Sequence, residues 1–207
     1  MRPGQNPITT LRRVMSPARP VEHCDFCHTP LADRHPHVMA LSSRQLSCAC
    51  GACAVLFSGD GSTKYRRVPQ RARYLSDFHI TDGQWESLSV PIGLAFFVHS
   101  STANRVVAFY PSPAGATECS LDLASWNDIA GNHSALNEME PDVEGLLVNR
   151  MDSARDCYVA PIDECYKLVG LIRTHWRGLS GGSAVKEQIR HFFDELKQSA
   201  RGDRGHA

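Results

Sequence analysis

From residue 65 onward the hydrophobic pattern alternates short β-rich runs with helical stripes. Residues 65–68 and 73–78 read as strands, and Thr81 or Asp82 opens a short helix that carries Trp85 and Leu88. Residues 92–99 and 105–110 are two further β-rich runs, joined at hairpin length by Ser100-Ser101-Thr102-Ala103-Asn104. The stretch Pro111-Ser112-Pro113-Ala114-Gly115 is expected to break that sheet. A strand near residues 118–121, a helix from Asp122 to about Ile129, and a strand pair at 143–149 and 157–160 follow. Pro161 suits a first helical turn, where its missing N–H would have had no partner, and the stripe Cys165, Leu168, Val169, Ile172, Trp176 continues from it. Gly178, Gly181 and Gly182 end that helix. A second, from about Ser183 to Ser199, puts Val185, Ile189, Phe192, Phe193 and Leu196 on one face. Two adjacent amphipathic helices after a meander of strands predict an α+β fold, with the helices packed on one face of a mostly antiparallel sheet.

Before residue 65 this periodicity is missing. Residues 1–22, with Pro3, Pro7, Pro17 and Pro20, read as a flexible arm. Residues 23–57 are rich in Cys and His and end in the apolar run Ala52-Cys53-Ala54-Val55-Leu56-Phe57, and a Gly/Ser/Asp break follows at 58–62. The expected organisation is an arm (1–22), a Cys-rich metal-binding module (23–57), an α+β domain (58–200) and a disordered tail (201–207). The pattern contains no internal repeat.

Composition changes this picture in two places. The chain of 207 residues is long enough for a real core, and its longest uncharged apolar run, residues 90–98, falls far short of the roughly 20 needed to cross a bilayer. With no apolar signal-peptide core among Arg2, Arg12 and Arg13, a cytoplasmic location is expected. The formal net charge of zero is a cancellation: residues 1–80 hold 11 Lys and Arg against 5 Asp and Glu, and the remainder holds 11 against 17. A basic Cys-rich part is thus joined to an acidic body, and each could meet a different partner.

Cysteine carries the strongest chemical signal. Five of the eight lie in Cys24-x2-Cys27, twenty intervening residues, and Cys48-x-Cys50-x2-Cys53. A tetrahedral ion needs four soft ligands, and two turns each offering a Cys-x-x-Cys pair supply them. The preferred set is Cys24, Cys27, Cys50 and Cys53. Cys48 could replace Cys50, and His28, His35 and His37 are nearby nitrogen donors. Zinc is the first expectation for the cofactor; the same spacing admits rubredoxin-like iron or an iron–sulfur cluster. A closed four-thiolate site has no open position for substrate, so its role would be structural. Cys24-Asp25-Phe26-Cys27-His28 also matches the c-type haem attachment pattern, and either Cys-x-x-Cys could be a dithiol pair, but no export signal and no βαβ pattern support these readings.

Other motifs are weaker. Gly178-Leu179-Ser180-Gly181-Gly182 fits G-x-S-x-G, yet a helix precedes it where a nucleophile elbow needs a strand, so it reads as a helix–helix connection with Ser180 or Ser183 as N-cap. Lys64, Arg66, Arg67, Arg71 and Arg73, with Tyr65 and Tyr74 interleaved, could form a nucleic-acid or partner-binding surface, or simply a solvated strand face. Glu138, Glu140, Asp142 and Glu144 read as a solvated loop. Asp163 and Glu164, in the first turn of their helix, read as complements to its dipole. His99, His133 and His175 have no distinctive context.

Several segments together carry a resemblance: the two cysteine turns, Pro91-Ile92-Gly93-Leu94-Ala95-Phe96-Phe97, VVAFYPSPAGATE at 106–118, PDVEGLLVNR at 141–150, and PIDECYKLVGLIRTHWRGLSGG at 161–182. Over about residues 22–200 the chain resembles the uncharacterised bacterial family known as domain of unknown function 5947. Members of that family are often encoded beside actinobacterial-type high-affinity nickel–iron hydrogenases, so the resemblance implies an accessory or maturation factor for such an enzyme. The expected function is a non-catalytic, zinc-containing accessory protein that contacts a hydrogenase subunit or maturation factor. The alternatives are a rubredoxin-like iron redox protein and a zinc-dependent nucleic-acid-binding regulator. The fold expected with it is a small zinc-ribbon-like module followed by the α+β body.

Overall fold

A computed structural model describes residues 21–58, 64–131, 133–177 and 182–201. In chain order the elements are β1 (His37–Ala40), β2 (Gln45–Cys48), α1 (Gly51–Val55), β3 (Tyr65–Arg67), β4 (Arg73–Tyr74), α2 (Asp82–Ser87), β5 (Leu94–Ser100), β6 (Arg105–Ser112), β7 (Gly115–Cys119), α3 (Leu123–Ala130), α4 (Ser134–Asn137), β8 (Glu144–Asn149), β9 (Asp156–Pro161), α5 (Ile162–His175) and α6 (Gly182–Arg201). The fold is α+β with two antiparallel sheets. One has three strands in the order β2-β1-β3, the other six in the order β4-β9-β8-β5-β6-β7.

The central strands of the large sheet are apolar at nearly every position, because both of their faces are covered. Leu94, Phe96 and Val98 of β5 join Leu147 of β8, Tyr158 of β9 and the α5/α6 residues Leu168, Ile172, Val185, Phe192 and Phe193 in one core. The intervening Ala95 and Phe97 join Leu146, Val148, Cys157 and Val159 in a second core, closed by Leu88, Trp126, Ala130 and Leu136 from the short helices. The period of two sends alternate side chains to opposite faces. Residues of α5 and α6 belong to the core on one face and residues of the short helices to the core on the other, so both faces are covered. Alternation of apolar and polar residues, the signal of a half-exposed strand, is absent from β5 and β8 for this reason.

Local chemistry fixes the element ends. Thr81 caps α2 in a full capping box with Gln84, and the Asp122 side chain caps α3 by accepting from Ala124 N. The expected break at 111–115 is instead a tight hairpin: β6 runs on to Ser112 and β7 begins at Gly115, with Pro111 opposite Ala116. Pro111 is tolerated because the β5 pairing ends at Phe109, so no ladder partner awaits its missing N–H. The strand expected at 73–78 is only Arg73–Tyr74, and the apolar run 52–57 enters the short helix α1. α4 was not foreseen. At the sheet edge, Lys197 of α6 reaches Asp156 at 2.9 Å and lies over the Tyr74 ring at 4.7 Å.

The acidic set is not a solvated loop throughout. Glu144 begins β8 with 7% exposure, its Oε2 accepting from Glu140 N at 2.9 Å, and burial pushes its carboxyl above the ordinary range. Gly93 faces the backbone of Arg150 so closely that a Cβ there would lie 2.7 Å from the Arg150 carbonyl oxygen. The small sheet shares β1 between two cores: Val38 packs with Cys24, Ala49 and Ala54, while Met39 points into the core under α5 and α6. Its third strand, β3, comes from beyond the 58–62 break and pairs with β1.

Candidate metal centre

The Cys24–Cys27 turn is closed by backbone bonds. Cys24 N donates to Thr29 O at 2.9 Å and His28 N to Cys24 O at 2.8 Å, with His28 in the left-handed region at φ 58°. The second turn is the start of α1, where Cys50 is the N-cap and its sulfur accepts from Cys53 N at 3.4 Å. Amides are thus aimed at sulfurs, which favours thiolate. Asp25 ties the two turns together: its N donates to Cys48 O at 2.9 Å, and its Oδ2 accepts from Cys48 N at 2.7 Å.

The sulfurs of Cys24, Cys27, Cys50 and Cys53 all lie within 4.8 Å of one another, and Cys27 and Cys50 are 3.7 Å apart. All four are free thiols. A tetrahedron with metal–sulfur bonds of about 2.3 Å has edges of about 3.8 Å, so this spacing fits an ion at the centre. Thiol ionisation points the same way. Burial opposes the charge on Cys24, yet the backbone amides of Cys50, Phe26 and Cys27 bring its thiol down to about 6. Cys53 is pushed up to about 12 by its hydrogen bonds to Cys27 and Cys50 and by burial. Four thiolates cannot crowd together unaided, and a cation relieves that repulsion. The cysteines can hold a metal ion.

Cys48 lies elsewhere. One nitrogen each of His35 and His37 and the Cys48 sulfur form a separate group within 4.8 Å. His37 Nδ1 donates to Asp163 Oδ2 at 2.8 Å, and that carboxylate raises the imidazole pKa. Cys48 is raised by burial and by the charges of Asp25 and Glu22. Asp163 also accepts from Glu164 N at 2.9 Å, so it serves both its own helix start and a histidine 126 residues away. Sequence spacing could not reveal that pairing. His28 joins neither group.

The basic residues are dispersed by their partners. Arg66 donates to Pro141 O at 2.6 Å and lies 3.5 Å from Asp142, Arg73 lies 3.8 Å from Glu138, and Arg67 donates to Ser58 Oγ at 3.4 Å. Lys64 and Arg71 are exposed. Cys157 and Cys165 are core residues, the first pushed up to about 12 by burial and the second raised by burial as well. A cavity of about 20 Å³, lined by Leu41, Arg44, Phe109, Ile162 and Tyr166 among others, has room for one water. In the expected helix connection, residues 178–181, including Ser180, lie outside the described residues, as do residues 1–20 of the arm and 202–207 of the tail. No helix among the described residues is long and apolar enough to cross a membrane.

Apolar side chains stand at the surface beside the cysteine centre, among exposed Glu22, Asp25 and His28. Val21, Phe26, Val55 and Leu56 are exposed, and the rings of Phe26, Phe57 and Tyr65 meet in tilted and edge-on contacts with centroids 5.0 to 6.1 Å apart. Comparison with protein families finds a match to a family model described as a family of unknown function (DUF5947), over residues 23–200. The chain belongs to DUF5947. The matched residues of this DUF5947 member include both cysteine turns, the large sheet and α5. No curated protein and no solved structure matches it.

Proposed function

We propose that this DUF5947 protein is a non-catalytic accessory factor whose zinc-ribbon-like module holds one zinc ion at Cys24, Cys27, Cys50 and Cys53 and presents an apolar rim to a protein partner. The observation that carries the reading is the pairing of a closed four-sulfur cluster with exposed Phe26, Val55 and Leu56 on the same turns. A four-thiolate site spends every ligand on the protein, so the ion organises a surface and takes no substrate. Large apolar side chains exposed together are the mark of an interaction surface. On the body side, Met39 of the small sheet enters the core to which α5 and α6 contribute, so the module is anchored to the large sheet.

The partner proposed is a subunit or maturation factor of a nickel–iron hydrogenase, a reading that rests on what the family resemblance implies. The cytoplasm, where such enzymes mature, is the proposed compartment. The test is co-purification of the full chain with the hydrogenase large subunit, in wild type and in the double variant Val55→Asp/Leu56→Asp. Binding lost in the variant, with zinc content unchanged, supports the proposal. A gene deletion that leaves hydrogenase maturation normal overturns it. Coloured protein with one equivalent of iron would favour the redox reading, and salt-dependent binding to DNA or RNA the regulatory one.

A further inference from the structure

We propose a second metal site, at His35, His37 and Cys48, beside the four-cysteine centre and of a different kind. His37 and Cys48 are direct cross-strand partners of β1 and β2, which places their side chains on one face of the small sheet. His35, two residues before His37, brings its ring to a centroid distance of 4.9 Å. One ligand atom from each of the three lies within 4.8 Å of the others.

The hydrogen bonds determine which nitrogens are available. His35 Nδ1 faces the Ala32 carbonyl at 2.9 Å, and His37 Nδ1 faces the Asp163 carboxylate at 2.8 Å. Both partners only accept, so each Nδ1 carries the proton and each neutral imidazole has its lone pair on Nε2. Metal-binding histidines are held by this same arrangement, a carbonyl or carboxylate on the far nitrogen. His35 Nε2 is buried without a hydrogen-bond partner, in a side chain only 7% exposed. A buried nitrogen left so is unusual unless something binds it. Glu22 Oε2 stands 3.6 Å from that nitrogen, against about 3.4 Å between two ligands of a tetrahedral ion at about 2.1 Å.

Two imidazoles and a thiolate suit a divalent first-row ion of intermediate softness, such as zinc or cobalt. Three protein ligands leave a fourth position for water, for Glu22 or for a donor from outside, unlike the closed cysteine centre. Asp163 is the positioning residue, and it reaches the site from α5. Ion binding would therefore link the small sheet to the body.

Equilibrium dialysis of the full chain against micromolar zinc, followed by elemental analysis, tests this. The wild type should hold two equivalents, and Cys48→Ser and His37→Ala one each. Asp163→Asn should keep the first ion and weaken the second roughly 10- to 100-fold. Cys50→Ser separates the two sites: the variant should lose the ion of the cysteine centre and keep the ion that is sensitive to Cys48→Ser. A wild type that saturates at one equivalent, or a Cys48→Ser protein that retains two, overturns the proposal. So does Asp163→Asn with unchanged affinity.

Discussion

Removing metal from the cysteine centre should melt the first knuckle and leave the large sheet folded. Residues 23–31 contain a single fully buried side chain, Cys24. Ordering nine backbone residues costs on the order of 10 kcal/mol, at about 1–2 kcal/mol each. The core beneath them consists of Cys24, Val38, Ala49 and Ala54, whose burial supplies only about 5 kcal/mol at about 0.8 kcal/mol per methylene-sized group and a little more for Val38. A structural zinc supplies about 10–16 kcal/mol, enough to close that gap. Hydrogen exchange followed with and without a strong chelator is the assay. Protection at the amides of Cys24 and His28, both hydrogen-bonded within this first turn, should be lost on chelation. Protection at Phe96 and Leu147, in the sheet with a core on either side, should persist. Knuckle amides that stay protected in verified metal-free protein would refute the reasoning.

Further outcomes are expected in the body. Glu144→Gln keeps an acceptor for Glu140 N and removes a buried charge. Burial raises the folded carboxyl above its unfolded value, so wild-type stability falls as pH rises through that interval; the variant should melt higher at neutral pH and lose its advantage below pH 4. Gly93→Ala sets a Cβ against the Arg150 carbonyl and should cost about 1–3 kcal/mol, read as a lower midpoint in urea. Arg150→Ala removes charged hydrogen bonds to Ile80 O and Asp82 and a guanidinium 5.5 Å from the Trp85 ring centre. A loss of about 3 kcal/mol is expected, measured the same way.

Elements with local signals were legible from sequence. Thr81 and Asp122 marked helix starts through capping, and the stripes through Leu168 and Ile172 and through Ile189 and Phe193 marked two long helices. What depended on distant partners was not. Pro111 looks like a breaker until the end of the β5 pairing is seen, and covering of both sheet faces needed the positions of Leu88, Trp126 and Leu136. In the site, the Cys-x-x-Cys spacing pointed to the four residues whose sulfurs lie together, while the choice between Cys48 and Cys50 turned on backbone geometry. Cys50 caps a helix and Cys48 ends a strand opposite His37. The role of Asp163 was hidden because its carboxylate has two uses, and only the one at its own helix start is local.

The sulfurs of Cys24, Cys27, Cys50 and Cys53 are proposed to hold one metal ion. Metal content of the purified full chain, compared between the wild type and Cys50→Ser after exhaustive dialysis against zinc-free buffer, tests it most directly. One tightly held equivalent is expected in the wild type and none at that centre in the variant. Equal metal content in the two proteins would contradict it.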